Sequence, residues 1–183
     1  MSKRDNLFLV GLMGAGKTTV GRLLAKHYGC NFHDSDHEIE GRTGVKIPVI
    51  FEIEGEAGFR KREETVITEL TALSGIVLAT GGGAVLSAAN REHLRKNGVV
   101  IYLCGTPEHL HERTRHDRNR PLLQTGNPLA KLRELYGQRD PLYREVADIV
   151  VDTGRQSVSG MSRALFARLD ELRNGLPLSD VAD

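Results

Sequence analysis

The chain has 183 residues, 39% of them hydrophobic and 27% charged, which suits one soluble domain with a single sizeable core. Its 25 basic residues are offset by 24 acidic ones, a formal net charge of +1, so the charge balance argues against a nucleic-acid partner. No apolar run is long enough to span a membrane, and two cysteines, Cys30 and Cys104, are too few for a disulfide framework.

The start, Met1-Ser2-Lys3-Arg4-Asp5-Asn6, leads directly into an apolar run without a secretory signal, so a cytoplasmic location is expected. That run, Leu7–Val10, reads as a strand. It is followed by Gly11-Leu12-Met13-Gly14-Ala15-Gly16-Lys17-Thr18-Thr19 and then by a helical pattern over Thr18–Tyr28. Strand, glycine-rich turn and helix form the context in which a G-x-x-x-x-G-K-[ST] match identifies a phosphate-binding loop. Successive backbone N–H groups and the positive end of the helix point at an anion there. Lys17 adds a point charge for the β- and γ-phosphates, and the Thr18 hydroxyl suits Mg²⁺. A nucleoside triphosphate is the expected ligand.

Further strand-like runs follow at Cys30–His33, Ile76–Ala79, Val99–Leu103 and Ile149–Val151. Helical patterns lie between and after them at Gly58–Leu73, Ala88–Lys96, Pro107–Arg115, Ala130–Tyr136 and Ser157–Leu172. Short continuous apolar runs alternating with helices predict a doubly wound α/β domain with a parallel sheet. Two segments interrupt the alternation. One, about 36–62, is too long for a simple connection; the other, about 115–128, is polar, basic and turn-rich. The end, 174–183, carries no motif and is expected to fray.

In a doubly wound sheet ligands bind beyond the carboxyl ends of the strands. The second strand ends in His33-Asp34-Ser35-Asp36, whose carboxylates can hold Mg²⁺ through water or engage a substrate hydroxyl, or can simply cap the next helix. The third ends in Thr80-Gly81-Gly82-Gly83, where a substrate can come against the backbone. Arg118 and Arg120 in the basic segment suit a loop that closes over a triphosphate, with Pro121-Leu122-Leu123 anchoring its far end. Arg60 reads as a helical partner of Glu56 or Glu64, and Arg139 as a surface arginine; neither stands out by spacing.

Taken together, these residues resemble the shikimate kinases, a nucleoside-monophosphate-kinase-like branch of phosphate-loop proteins. The resemblance is carried in order by Gly11–Gly21, Asp34-Ser35-Asp36, Ile50-Phe51, Gly55-Glu56, Phe59-Arg60, Gly81-Gly82-Gly83, Arg120–Leu123 and Arg139–Tyr143. It implies a three-layer α/β/α kinase domain over 1–173. Its five-stranded parallel sheet would run in order 2-3-1-4-5, with a helical substrate-binding insertion at about 36–62 and a mobile lid at about 115–128. It implies transfer of the γ-phosphate of ATP to the 3-hydroxyl of shikimate with Mg²⁺, a step of chorismate and aromatic amino-acid biosynthesis, in a chain expected to act as a monomer.

Residue by residue, the resemblance assigns nucleotide binding to Gly14, Ala15, Gly16, Lys17, Thr18 and Thr19. It assigns metal binding to Thr18, with Asp34 acting through water. Asp36 would hold the substrate hydroxyls and is a candidate base. Arg60 and Arg139 would pair with the substrate carboxylate, and the Gly82 backbone would touch the substrate. Arg120 would reach from the lid to the transferring phosphate, and Arg113 and Gln156 would flank the adenine. The alternatives are a gluconate-type or other small-molecule kinase of the same branch, and a nucleotide-binding switch without an acceptor. No Asn-Lys-x-Asp guanine motif is present for the latter.

Overall fold

A computed structural model describes residues 5–116, 121–154 and 158–173. The expected end segment 174–183, and with it any fraying, lies outside the described residues. Five strands form one parallel sheet: β1 (Leu7–Val10), β2 (Asn31–Asp34), β3 (Ile76–Ala79), β4 (Val99–Cys104) and β5 (Ile149–Asp152), in the expected order β2-β3-β1-β4-β5. The register sets Leu9 opposite both Ala79 and Ile101, Asp34 opposite Ala79, and Cys104 opposite Asp152. The carboxyl ends of the strands therefore share one edge.

All four side chains of β1 are fully buried, and Val77, Leu78, Val100 and Ile101 on its neighbours are too. Burying a side chain of this size contributes about 1.5–3 kcal/mol, so the centre of the sheet is the stiffest support available to a loop. The phosphate loop leaves from it. Of the helices, α1 (Lys17–Tyr28) and α7 (Val158–Arg173) pack together, with Tyr28 Oη donating to Asp170 Oδ1 at 2.9 Å. α4 (Ala88–Asn97) and α6 (Pro128–Val146) pack together against β4, and α5 (Pro107–Thr114) lies against α6.

Three stretches depart from the expected elements. The segment 36–62 consists of two helices, α2 (Ser35–Thr43) and the first part of α3 (Ile47–Thr71), so the insertion is helical and α3 begins well before Gly58. Asp34 starts α2 as its N-cap, accepting from the N–H groups of Asp36 and His37. α6 is much longer than Ala130–Tyr136 because it continues through Pro141. A proline inside a helix removes a hydrogen bond to the carbonyl four residues earlier; here that residue is Gly137, which is exposed to water, while Leu132, Leu135, Tyr143 and Val146 bury the opposite face. The third is Pro121–Leu123, where no element is expected and a short 3₁₀ turn forms; it packs on α3 and α6 with Leu123 buried, so it anchors the far end of the basic segment.

The end of the sheet opposite the site is tied by Asn6, a residue without any motif to mark it. Its Nδ2 donates to Leu73 O (2.8 Å) and Asn97 O (3.1 Å), and its Oδ1 accepts from Ile76 N (3.1 Å). Asn6 is buried, and removing its side chain unpairs three backbone groups, of which the Ile76 N–H is buried and the two carbonyls part-buried. Asn6→Ala is expected to lower stability by about 2–4 kcal/mol, the cost of leaving buried polar groups unpaired. Urea unfolding measures it, and an unchanged midpoint would show that water replaces the amide.

Candidate active site

The strand ends open on one crevice of about 660 Å³. Its first half is the phosphate loop. Gly14 has φ of 81°, and a Cβ there would lie 2.7 Å from Thr114 Cγ2, so both conformation and space require glycine. Gly16 precedes α1 without a side-chain cap, and no acidic residue stands in the first turn. The leading N–H groups and the positive helix end are thereby left to an anion. Lys17 Nζ donates to Gly11 O (2.7 Å) and Leu12 O (2.9 Å), which holds its charge at the mouth of the loop.

Thr18 Oγ1 donates to Asp34 Oδ2 at 2.8 Å, while Asp34 Oδ1 accepts from Asp36 N (3.1 Å) and His37 N (3.4 Å). Oδ1 thus caps α2, as one of the two sequence readings has it, while Oδ2 faces Thr18 and Asp34 lines the crevice. Ala15 and Thr19 also line the crevice. Arg113 donates to Thr153 O (3.0 Å) and Gly14 O (3.4 Å), tying α5 and the turn after β5 to the phosphate loop. Arg120 and Gln156 lie outside the described residues.

The second half is built from α2, α3, α6 and the triple glycine. Asp36, Arg60, Gly82 and Arg139, scattered along the chain, line it together. The glycines are an absence of side chains with a purpose. A Cβ at Gly81 would lie 2.6 Å from Glu63 Oε1 and 2.7 Å from Asp36 Oδ1, and one at Gly83 would lie 2.3 Å from the Arg60 guanidinium. A Cβ at Gly82 would lie 3.5 Å from Met13 N in the phosphate loop and 3.7 Å from Arg139 Nη1. Gly82 is thus the meeting point of the two halves.

Arg60 does make the expected bond to Glu56 (2.9 Å), but its second partner is Glu63, at 2.7 Å, whereas Glu64 accepts from Ser87 Oγ. Arg139 is no surface arginine: it is 2% exposed, and its Nε and Nη1 have no hydrogen-bond partner among the described residues. Sequence reasoning also missed three supporting residues. Glu63 is 1% exposed beneath Arg60; Ser35 accepts from Gly81 N at 2.9 Å; and Tyr143 Oη donates to Gly82 O. Each had a faint signal: helical spacing from Arg60, a place between two aspartates, and helical spacing from Arg139.

Burial pushes the Glu63 carboxyl above its ordinary value of 4.5, and neighbouring Asp36 adds to this, while Arg60 and Arg139 pull it back. Burial works against the charge of Arg60, yet Glu63 and Glu56 outweigh it and raise its pKa. The folded chain therefore binds the Glu63 proton more tightly than the unfolded chain. That contribution to stability is complete below 4.5 and is lost as pH rises through the higher folded value. Glu63→Gln cannot ionise, so its melting temperature relative to the unaltered chain should climb with pH above 4.5 and then level off. A difference that does not vary with pH in parallel thermal melts would contradict this.

This constellation can hold a polyphosphate at one end and a small carboxylate- and hydroxyl-bearing acceptor at the other. Comparison with known proteins agrees. The family model described as shikimate kinase matches residues 13–170. A shikimate kinase of Thiobacillus denitrificans is 83% identical over 173 residues, covering 94% of each chain. One of Nitrosococcus oceani is 59% identical, covering 94% of this chain and 90% of the relative. The solved structure of a shikimate kinase from Acinetobacter baumannii in complex with shikimate superposes with a TM-score of 0.84 at 53% identity, covering 93% of both chains. With a phosphate loop, a carboxylate pair and a buried arginine gathered at the ends of a 2-3-1-4-5 sheet, the chain belongs to the shikimate kinase family.

Proposed function

We propose that the chain transfers the γ-phosphate of ATP to the 3-hydroxyl of shikimate, forming shikimate 3-phosphate and ADP. The observation that carries this reading is Arg139: a buried guanidinium at the acceptor end, whose Nε and Nη1 have no hydrogen-bond partner among the described residues, needs an anion. Arg60 and Arg139 grip the shikimate carboxylate by planar, charge-assisted bonds. Ile47, Phe51 and Phe59 line the same end and give the ring an apolar wall. Asp36 accepts the hydrogen bond of the reacting hydroxyl and turns its lone pair towards phosphorus, while the Gly82 backbone lets the ring come close.

At the nucleotide end, the N–H groups of Gly14, Gly16 and Thr19 hold the phosphates, Ala15 braces the loop by donating to Leu12 O (3.2 Å), and Lys17 neutralises the charge spread over the transferring group. Thr18 and Asp34 offer hard oxygen donors 2.8 Å apart at the head of α1, which fits Mg²⁺ held directly by Thr18 and through water by Asp34. Mg²⁺ held by these residues would supply positive charge to offset that of the phosphates. On the family pattern, Arg113 and Gln156 are assigned to the adenine and Arg120 to the transferring phosphate. The chain is taken to act as a monomer. No described helix is long and apolar enough to cross a membrane.

The test is ADP release with ATP and Mg²⁺, offering shikimate, gluconate and nucleoside monophosphates in turn. Turnover with shikimate alone is expected. Turnover with another acceptor would keep the phosphate loop but void the roles of Arg60, Arg139 and Gly82, and none at all would favour a nucleotide switch.

A further inference from the structure

α3 is not one straight helix. At Gly55 the backbone takes φ 69° and ψ 179°, a combination open to glycine and costly for other residues. In an unbroken helix, Cβ atoms four residues apart stay about 5–6 Å from one another. A Cβ added at Gly58 would lie only 2.5 Å from that of Glu54, so the two arms of α3 fold sharply against each other there. Eight residues of straight helix would also separate Glu54 and Arg62 by about 12 Å along the axis. Instead the Arg62 guanidinium meets the Glu54 carboxylate in two bonds, Nη2 to Oε1 at 2.6 Å and Nε to Oε2 at 2.8 Å. The bend is spanned by a forked ion pair and given room by the missing side chain at position 58.

Both arms lead to the acceptor end of the crevice. The first contributes Ile47 and Phe51, the second Phe59, Arg60 and Glu63. Across the bend, the Phe51 and Phe59 rings meet with centroids 4.9 Å apart, and the Arg60 guanidinium lies 5.2 Å over the Phe59 ring. Glu54, Gly55, Gly58 and Arg62 do not themselves line the crevice. The angle of the bend therefore fixes how far the aromatic wall stands from the arginine, without any bend residue touching a ligand. The phosphate loop hangs from β1 and α1 and is supported independently of this angle.

We propose that the Glu54–Arg62 pair and Gly58 are positioning residues, holding the two arms of α3 at the angle at which Arg60 and the Phe51–Phe59 wall meet the acceptor. This rests on reading that end as the shikimate subsite. The pair is partly exposed, with side chains 33% and 44% accessible, so its removal should have a graded effect.

Steady-state kinetics with both substrates varied would test it. Arg62→Ala should raise KM for shikimate about two- to fivefold, the scale of a partly exposed ion pair, leaving kcat and KM for ATP nearly unchanged. Glu54→Arg with Arg62→Glu, which restores the pair with its charges exchanged, should recover most of the loss. Gly58→Ala pushes the arms apart and should raise KM for shikimate about tenfold or more, as small misplacements of binding groups do. Unchanged KM for shikimate in Arg62→Ala, or an equal rise in both KM values, would overturn the inference even if Gly58→Ala fails to fold. Absence of shikimate turnover in the unaltered chain would overturn the proposed function and this inference with it.

Discussion

Arg60→Ala is expected to lower kcat/KM for shikimate by roughly 10²–10³, the consequence of losing about 3–4 kcal/mol with one partner of a desolvated charge pair. Nucleotide affinity should stay within a few-fold, because Arg60 sits on α3, at the proposed acceptor end, while the phosphates are proposed to bind the loop before α1. The effect has a second component that the local sequence does not suggest. Glu63 is buried under Arg60 and shares a 2.7 Å bond with it, so the variant strands a carboxyl that burial already pushes up. In the variant that carboxyl should stay protonated to higher pH, and Arg60→Ala with Glu63→Gln should be more stable than Arg60→Ala alone at neutral pH. Acceptor kinetics, nucleotide titration and thermal melts of the three proteins check each part. A loss of nucleotide affinity as large as the loss of turnover would refute the assignment of Arg60 to the acceptor.

Lys17→Ala should reduce kcat by at least about a hundredfold, since removing one preorganised electrostatic group from a transfer site costs about 10²–10³. The fold should survive. Lys17 opens α1 at the crevice, and the carbonyls of Gly11 and Leu12 that it bridges sit in the loop rather than in the sheet ladder. A circular-dichroism melt close to that of the unaltered chain, together with lost ADP release, is the expected pair of results. Near-normal turnover would undo the reading of the phosphate loop.

The phosphate loop, the carboxylate pair and the strand runs were legible because each depends on neighbours in the chain. A glycine-rich turn between an apolar run and a helix presents N–H groups whatever the rest of the molecule does, and Asp34 caps α2 from the residue just before it. The long α6 was only partly legible. Pro141 signals a helix end locally, and the signal is overridden by a buried stripe on one face and a solvent-facing Gly137 on the other. The helical insertion was visible as a connection too long to be a turn, but its bend was not.

Taken alone, the sequence determined the doubly wound class, the anion-binding loop and the residue types at the strand ends, since these follow from backbone chemistry over a few residues. Strand order and the proposed roles of Arg60 and Arg139 came from an ordered set of motifs resembling one family, not from periodicity. Only the tertiary structure decided that Arg139 is buried with two nitrogens lacking a hydrogen-bond partner among the described residues, that Glu63 lies beneath Arg60, that Tyr143 holds Gly82, and that α3 folds at Gly55. The reason is physical: burial and desolvation depend on what the topology brings from distant segments, and a carboxylate beside an arginine has no distinctive chemistry until water is excluded from both.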